Sequence, residues 1–270
     1  MGVTMKSLMQ LAYYRGVHTQ ALRNVAILTP SIIQITTGSK RLYWQETTLD
    51  IDANSLLLCR ANHALHFENL PQAGQFSSRQ FCFSLSPTSE MMSLSERNGT
   101  TTPHLTLHHP VVRCDKALNH TLNLLAGLPL GDLSAETLTF WLYGLYQQLA
   151  ERGVLHLMFA PQGQSFEQKL SEFIAQQPSK DHQIEDACQH FAISKATLIR
   201  RLKEEGTQYR EVLSKVRLSH ALSLMQQGHR KTAELSLMCG YQSPDKFSQR
   251  FRQRFGLSPR EYCKTLARRR

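Results

Sequence analysis

The most constraining feature of this 270-residue sequence is a helix-turn-helix pattern that occurs twice in its last hundred residues. In the second copy, residues 232–255, Gly240 marks a sharp turn because glycine adopts positive φ without steric cost. Ser243 can cap the next helix, and Pro244 suits its first turn. Phenylalanine then repeats at every fourth position, which predicts one buried face at Phe247, Phe251 and Phe255. We expect the inward side of the preceding helix to carry Ala233, Leu237 and Met238.

The first copy, residues 183–204, follows the same logic. Its first helix has apolar side chains at helical spacing, namely Ile184, Ala187, Cys188 and Phe191. The turn lies at 191–193, and Ser194 can cap a second helix whose inward residues are Leu198 and Leu202. Upstream, Ser165 to Gln168 has the pattern of a capping box, and Asp181 is a candidate cap for the helix after Pro178.

A helical stretch over residues 207–227 joins the two copies. A helix of about 20 residues is ~30 Å long, and adjacent major grooves on one face of B-DNA lie ~34 Å apart. The connector therefore has the length that is needed to hold two recognition helices in successive grooves of one duplex.

The charge distribution favours nucleic acid as the partner. Residues 161–270 hold 20 Lys and Arg against 11 Asp and Glu, whereas residues 1–160 hold 11 against 10. Nearly all of the net charge of +10 thus lies in the half that carries the tandem motif. A basic face releases counterions from DNA, so its binding is expected to weaken steeply with salt.

Residues 165–266 resemble the DNA-binding domain of AraC/XylS-type transcription regulators. The resemblance is carried by Ile193-Ser194, Arg217–Met225, Gly240-Tyr241, Ser243-Pro244, Phe247, Phe251, Phe255-Gly256, Ser258-Pro259 and Tyr262. It implies an activator that binds double-stranded DNA and recruits or positions RNA polymerase. In size and layout the chain is most similar to the ToxT/Rns-type virulence regulators, which implies a small-molecule effector, with a fatty acid as one candidate.

Matching the family pattern position by position gives the expected DNA contacts. The base-contact candidates are Ala196, Ile199 and Arg200 in the first unit, and Asp245, Lys246 and Gln249 in the second. Arg200 is suited to a bidentate contact with guanine, and the two apolar residues are suited to thymine methyl groups. Asp245 can instead stabilise a helix N-terminus, because a carboxylate repels phosphate. The phosphate candidates are Lys195, Arg201, Arg250 and Arg252.

The first 160 residues predict a different domain, separated from residues 161–270 by a breaker-rich linker at 160–164. Short β-branched or apolar runs predict strands over 24–37, 41–45, 55–60, 64–67 and 77–85. Such strands indicate a sandwich or barrel, and the family resemblance implies a cupin-like β-fold. The fold class is therefore α+β, with a cupin-like β-domain, a helical pair and an all-α C-terminal domain.

The helical pair is predicted over 115–126 and 134–152. Its apolar stripes are Leu118, Leu122 and Leu125 on one helix, and Leu138, Trp141, Leu142, Leu145 and Leu149 on the other. The resemblance implies a homodimer seam across 115–152. The alternative is that both stripes cover the open side of the β-sheet, as amphipathic helices commonly do.

Other site classes find little support in the sequence. No apolar run approaches the ~20 residues of a membrane span, and unpaired cysteine spacing indicates reduced thiols in a cytoplasmic protein. The histidines at 63, 66, 104, 108 and 109 lack metal-ligand spacing, so we expect neither a metal nor another cofactor. A nucleophile elbow, P-loop or carboxylate pair is likewise not evident, and we expect no enzyme activity.

Two alternatives to the regulator stay open at this point. One is a metal-dependent cupin-type enzyme tethered to DNA, and the other is a non-specific architectural DNA binder. If an effector carries a carboxylate, Arg23 or Arg79, with a basic residue of the connector helix, could hold it in an apolar cleft.

Overall fold

The computed structural model describes residues 8–101, 109–160 and 163–267. The first part of the chain forms eight strands: β1 (Met9–Gly16), β2 (Gln20–Ala26), β3 (Ser31–Thr37), β4 (Ser39–Trp44), β5 (Thr47–Ile51), β6 (Ser55–Cys59), β7 (Ala64–Leu70) and β8 (Phe76–Phe83). They are followed by helix α1 (Ser89–Thr101), strand β9 (Val111–Arg113), helices α2 (Lys116–Gly127) and α3 (Ala135–Glu151), and a 3₁₀ turn at Leu155–Leu157.

The strands form two antiparallel sheets. One has the order β1-β8-β3-β6-β9, and the other has the order β2-β7-β4-β5. The central strands β3 and β6 are apolar at successive positions because both of their faces are covered. On β3, Ile33 and Ile35 face the core between the sheets, whereas Ile32 faces the core under the helices. The predicted α+β class with a β-domain, a helical pair and a helical C-terminal region is confirmed.

The single strand predicted over 24–37 is wrong, because the chain makes two strands there. Asn24 adopts φ 55°, and the register of β2 against β7 shifts between Leu22 and Val25. The backbone of Ile27 then exchanges hydrogen bonds with the turn at Asn62 and His63, at 2.8 and 2.9 Å. Pro30 separates this irregular stretch from β3, which pairs with different neighbours.

The helical pair α2 and α3 turns its leucine stripes toward the five-stranded sheet. Leu118, Leu122 and Leu142 are fully buried in one cluster with Ile32, Leu56 and Phe81 of the sheet. The two stripes therefore cover the β-sheet, which was the alternative to a dimer seam. Trp141, which was expected on the buried stripe, is 40% exposed, and its neighbour Phe140 is 76% exposed. Both lie on the outer side of α3.

The C-terminal part is entirely helical within the residues that the structure describes. It comprises α4 (Phe166–Ala175), α5 (Ile184–Phe191), α6 (Lys195–Glu204), α7 (Tyr209–Gln226), α8 (Thr232–Met238), α9 (Pro244–Phe255) and α10 (Pro259–Lys264). Ser165 caps α4 by accepting from the backbone of Gln168 at 3.1 Å. The Glu205 carboxylate takes the free backbone N–H groups of Phe166 and Glu167 at 2.7 and 2.6 Å. The cap of α5 is Gln183 rather than Asp181, in a capping box with Asp186.

One hydrophobic core joins the sandwich to the second helix-turn-helix unit. It contains Ile35, Leu42 and Phe67 of the β-strands together with Leu222 of α7 and Phe251 of α9, all buried. At its edge the backbone N–H of Val17 donates to the carbonyl of Thr265 at 2.8 Å. A separate cluster of α4, α5, α6 and the first half of α7 forms the core of the first unit. The second unit is therefore docked on the sandwich, whereas the first has its own core.

Candidate DNA-binding interface

The first helix-turn-helix unit consists of α5 and α6. Ala192 adopts the left-handed conformation at φ 51°, and its N–H bonds the last carbonyls of α5, which ends that helix. Ser194 then caps α6 by accepting from Thr197 N at 3.1 Å. Leu198 and Leu202 are buried, as predicted from their spacing. This packing directs the opposite face of α6 toward solvent.

The solvent face of α6 carries all the predicted contact residues of this unit. Ala196 and Arg200 are exposed, and Ile199 is 50% exposed although it is apolar. Arg200 forms an ion pair with Glu204 at 2.7 Å on the same face. Lys195 pairs with Glu185 at 3.0 Å, and Arg201 lies over the Phe166 ring at 5.5 Å. An apolar side chain left in water here is one that a partner surface can cover.

The second unit consists of α8 and α9. The N–H of Tyr241 closes the turn onto the carbonyl of Ser236 at 2.8 Å, and Gly240 has φ 74°. A β-carbon on Gly240 would lie 2.7 Å from the Arg217 guanidinium, so a larger residue there would displace that side chain. Ser243 caps α9, and Phe247, Phe251 and Phe255 are fully buried, as predicted.

The predicted buried stripe of α8 is wrong at Ala233 and Leu237, whereas Met238 packs against the core as expected. Leu237 is 68% exposed and Ala233 is exposed, whereas Leu235, Ser236 and Cys239 are buried. Because α8 has only seven residues, both the face that contains Leu235 and the face that contains Leu237 carry apolar side chains. The packing of α8 against α7 and α9 buries the face that contains Leu235.

The exposed side of α9 carries Asp245, Lys246 and Gln249 near its N-terminus, and Arg250 and Arg252 further along. Arg250 also lines a cleft of about 790 Å³ between α7, α9 and the β2 and β7 region. Arg252 approaches Glu261 at 3.8 Å. The opposite end of α9 meets the sandwich, where Asn24 donates to the carbonyl of Arg254 at 3.3 Å. The C-terminal end of α9 thus contacts the sandwich, whereas its N-terminal end carries the predicted base contacts.

Helix α7 connects the two units, and its bounds agree with the helical connector that was predicted over 207–227. Its 18 residues correspond to about 27 Å. At the first unit Lys215 forms an ion pair with Glu167, and Tyr209 donates to the carbonyl of Gln183 at 2.9 Å. Arg217 donates to the carbonyls of Pro178 and Lys180 at 3.1 and 2.8 Å, and its guanidinium lies 5.9 Å from the Tyr241 ring. Arg217 thereby contacts both units from the middle of the connector.

The two arginines predicted to hold a ligand carboxylate occupy different places. Arg23 lies against Gly256, so that a β-carbon there would be 2.7 Å from its Nε atom, and it lines a shallow cavity of about 430 Å³. The guanidinium of Arg79 donates to Gln34 Oε1 at 2.7 Å and also to Asn123 on α2. Arg79 thus joins the sheet to the helical pair. A ligand role for either residue stays a prediction.

Among the described residues, the histidines considered as metal ligands do not assemble. His63 packs beside Trp44 and His66 beside Tyr43, with ring centroids 6.4 and 5.3 Å apart. Burial, and then the nearby Arg60, lower the pKa of His63. His104 and His108 lie outside the described residues. Across the described ranges, no three His, Cys, Asp or Glu side chains come together as a metal site. Across the same ranges, no helix has the length and apolar character to cross a membrane.

Comparison with known proteins places the tandem motif in a known domain family. Residues 187–265 match the family described as a helix-turn-helix domain. A transcriptional regulator of Haemophilus influenzae is 32% identical over 126 residues, which cover 46% of this chain and 41% of that protein. The urease operon transcriptional activator of Escherichia coli is 25% identical over 169 residues, covering 58% and 56%. This chain therefore spans about half the length of these relatives.

Among solved structures, the whole chain resembles ToxT of Vibrio cholerae bound to an unsaturated fatty acid. The TM-score is 0.62 at 17% identity, and the match covers 98% of this chain and 99% of that one. A second ToxT structure gives a TM-score of 0.61 over 97% of this chain. At this identity the likeness concerns the fold alone.

Proposed function

Because residues 187–265 form a helix-turn-helix domain of the AraC type, we propose that this chain is a sequence-specific DNA-binding transcription regulator. Its units at 183–204 and 232–255 enter successive major grooves of one duplex, and α7 sets their spacing. The protein acts in the cytoplasm as a regulator rather than as an enzyme.

The observation that carries this proposal is the exposure of the first turns of α6 and α9 at opposite ends of the connector. Recognition helices read base edges with residues near their N-termini. Ala196, Ile199 and Arg200 on α6 are exposed, and so are Lys246 and Gln249 on α9. Since docking on the sandwich uses the far end of α9, these side chains stay available to DNA.

Arg200 is the strongest candidate for direct base readout. In the free protein its guanidinium is paired with Glu204, and both side chains are more than half exposed. Such exposed pairs contribute only ~0–1 kcal/mol, whereas a bidentate contact to guanine gives ~1–3 kcal/mol of discrimination. Guanine therefore competes successfully for Arg200. Ile199 and Ala196 contact thymine methyl groups, and Asp245 stabilises the N-terminus of α9 rather than contacting a base.

The phosphate contacts come from the flanking basic residues Lys195, Arg201, Arg250 and Arg252. All four carry exposed positive charge beside the recognition faces, and Arg250 also lines the cleft next to α7. We propose activation, with RNA polymerase as the protein partner, because the matched relatives include a urease operon transcriptional activator.

The N-terminal domain, residues 1–160, senses a small molecule or joins two copies of the chain. A small-molecule effector is supported by the fold it shares with ToxT, a protein whose structure contains an unsaturated fatty acid. A homodimer through 115–152 would use the outer side of the helical pair, where Leu124, Phe140 and Trp141 are exposed. Sedimentation of wild type and Phe140→Ser would test that contact.

Competition binding tests the central proposal. A fluorescent duplex selected from a random pool is titrated with the protein at physiological salt, with unlabelled selected or random duplex as competitor. A specific protein prefers its site by ~10³-fold or more. Equal competition by both duplexes would contradict the proposal and would favour a non-specific architectural binder.

A further inference from the structure

The middle of α7 is the border between the two cores of the helix-turn-helix half. Val212 and Val216 are buried in the cluster of the first unit, whereas Leu218 and Leu222 are buried in the cluster that contains the second unit. Each half of the connector is therefore anchored in a different unit. Arg217 lies between these two sets of residues. A bend in the helix at this point would displace one recognition helix relative to the other.

The length of α7 does not by itself fix the register of the two units on DNA. Its 18 residues span about 27 Å, whereas adjacent major grooves lie ~34 Å apart. The difference of ~7 Å equals the rise of about two base pairs. The separation of the recognition helices thus depends also on the orientation of each unit about the connector. A contact that joins the two units beside the helix can fix this orientation.

The first unit reaches Arg217 through the loop before α5. Arg217 Nε donates to the carbonyl oxygen of Pro178 at 3.1 Å, and Nη2 donates to that of Lys180 at 2.8 Å. The loop is itself tied to α5, because Lys180 forms an ion pair at 3.7 Å with Asp186 of the α5 capping box. Since α5 packs on α6, the guanidinium is anchored to the unit that carries the first recognition helix.

The second unit reaches the same guanidinium through the turn before α9. The guanidinium carbon lies 5.9 Å from the centre of the Tyr241 ring, within the range of a cation–π contact. Gly240 leaves room for this approach, since a β-carbon there would be 2.7 Å from Nη2 of Arg217. The Tyr241 ring in turn packs on Phe247 of α9, with 5.4 Å between their centres. One side chain thus lies between a loop of the first unit and the turn of the second.

The contacts at this border use the particular chemistry of arginine. A guanidinium is a rigid plane that donates in a fixed fork and also stacks on aromatic rings, whereas the ammonium of lysine is a compact, strongly hydrated point charge. A lysine at position 217 would keep the positive charge but could not make both carbonyl bonds and the ring contact from one plane. Charge and geometry can therefore be separated by substitution.

We propose that Arg217 is a positioning residue that holds the two helix-turn-helix units at one separation and one rotation, and thereby restricts the protein to DNA sites with one spacing between the two half-sites. The effect on DNA rests on the proposed regulator function, whereas the rigid connection of the units does not. Loss of Arg217 widens the range of tolerated spacings and leaves unchanged the bases that each unit reads.

A series of duplexes with altered half-site spacing tests the effect on DNA. The half-sites of a duplex selected from a random pool are moved apart or together by one or two base pairs. Each base pair shifts one half-site by ~3.4 Å and rotates it by ~34° about the duplex axis. Wild type should lose about tenfold or more in affinity when the spacing changes by a single base pair, because the two units can then no longer bind together.

Arg217→Met should flatten this profile, so that the same change costs less than about threefold, while each half-site keeps its base preference. At the best spacing its affinity should fall about two- to fivefold, because DNA must now order the two units. The matched control is Arg210→Met, which removes an exposed charge about two turns earlier on the same face of α7 and should keep the wild-type profile.

Arg217→Lys separates geometry from charge, and it carries the test if Arg217→Met does not fold. It should flatten the profile as well, because the ammonium lacks the planar fork. A wild-type spacing profile in either variant overturns the proposal, even where the overall affinity is reduced. A wild-type protein that prefers its selected duplex but tolerates every spacing would contradict the role of Arg217 alone.

The distance between the recognition helices gives a test without DNA. A keto amino acid in place of Ala196 and of Gln249 carries nitroxide labels and leaves the native cysteines unmodified, so that pulsed electron resonance on the full chain measures the separation. We expect one narrow distance in wild type and Arg210→Met, and a broader distribution in both Arg217 variants. An equally narrow distance in those variants overturns the proposal. Broadening in a chain that does not prefer the selected duplex would contradict the regulator function alone.

Discussion

Replacing Lys40 by Met should remove most of the rise in folding stability that the wild-type protein gains between about pH 7.5 and 9.5. Lys40 is 3% exposed inside the sandwich, with its Nζ atom 3.4 Å from the centre of the Phe67 ring. The ammonium donates to Asn69, Asn69 donates to Gln20 at 2.8 Å, and Gln20 donates to Thr265 Oγ1 at 3.0 Å. This chain of neutral partners offers the buried charge no carboxylate.

The magnitude follows from the pKa. Burial lowers the pKa of Lys40 from 10.5 to about 7. Between these values the unfolded chain binds the proton and the folded chain does not, so the free energy of unfolding rises with pH. The slope approaches ~1.4 kcal/mol per pH unit, and two units give about 2.5 kcal/mol. Below pH 7 both states are protonated, and this contribution to the pH dependence vanishes.

Urea unfolding of wild type and Lys40→Met across this pH range is the assay. Because other groups titrate equally in both proteins, the difference between their free energies isolates Lys40. Loss of the bond to Asn69 adds an offset of ~1–3 kcal/mol that does not depend on pH. Parallel stability curves, with no change of the difference by as much as ~1 kcal/mol, would refute the reasoning that Lys40 is buried with a lowered pKa.

Three further predictions concern the helix-turn-helix half. Arg200→Ala should cost ~1–3 kcal/mol and relax preference at one base pair, whereas equal loss on every sequence would refute base readout. Phe251→Ala should destabilise the protein by ~3–5 kcal/mol in urea unfolding, because Phe251 is fully buried between Phe247, Phe255 and Tyr262; an unchanged midpoint would contradict its burial. Glu205→Ala should lower stability by ~1–2 kcal/mol by uncapping α4, while Glu204→Ala, its exposed neighbour, should change it little.

Sequence reasoning located most of the C-terminal architecture because local signals there agree with one another. The serine caps at Ser194 and Ser243, the turn at Gly240 and the phenylalanine repeat each specify helix ends or faces without reference to the rest of the chain. Leu237 shows the limit of such reasoning. The seven residues of α8 put apolar side chains on two faces of the helix, and only the packing of the neighbouring helices determines which face is buried.

The parts that sequence reasoning missed depend on contacts between distant residues. Strand β1 and the polar helix α1 carry weak local patterns and are stabilised by β8 and by α3. A lysine in a strand is normally expected to face water, whereas the sandwich encloses Lys40 with Asn69, Phe67 and Phe76. The core shared by Phe67 and Phe251 joins residues 184 positions apart, so neither half of the sequence indicates it alone.

Hydroxyl-radical footprinting of the protein on a duplex selected from a random pool tests the central claim most directly. Two helix-turn-helix units joined by α7 should protect two backbone segments about one helical turn, or ~10 base pairs, apart on one face of the DNA. Arg200→Ala should weaken the pattern in one segment only. A single protected segment, or protection that does not depend on sequence, would contradict the claim that both units read DNA.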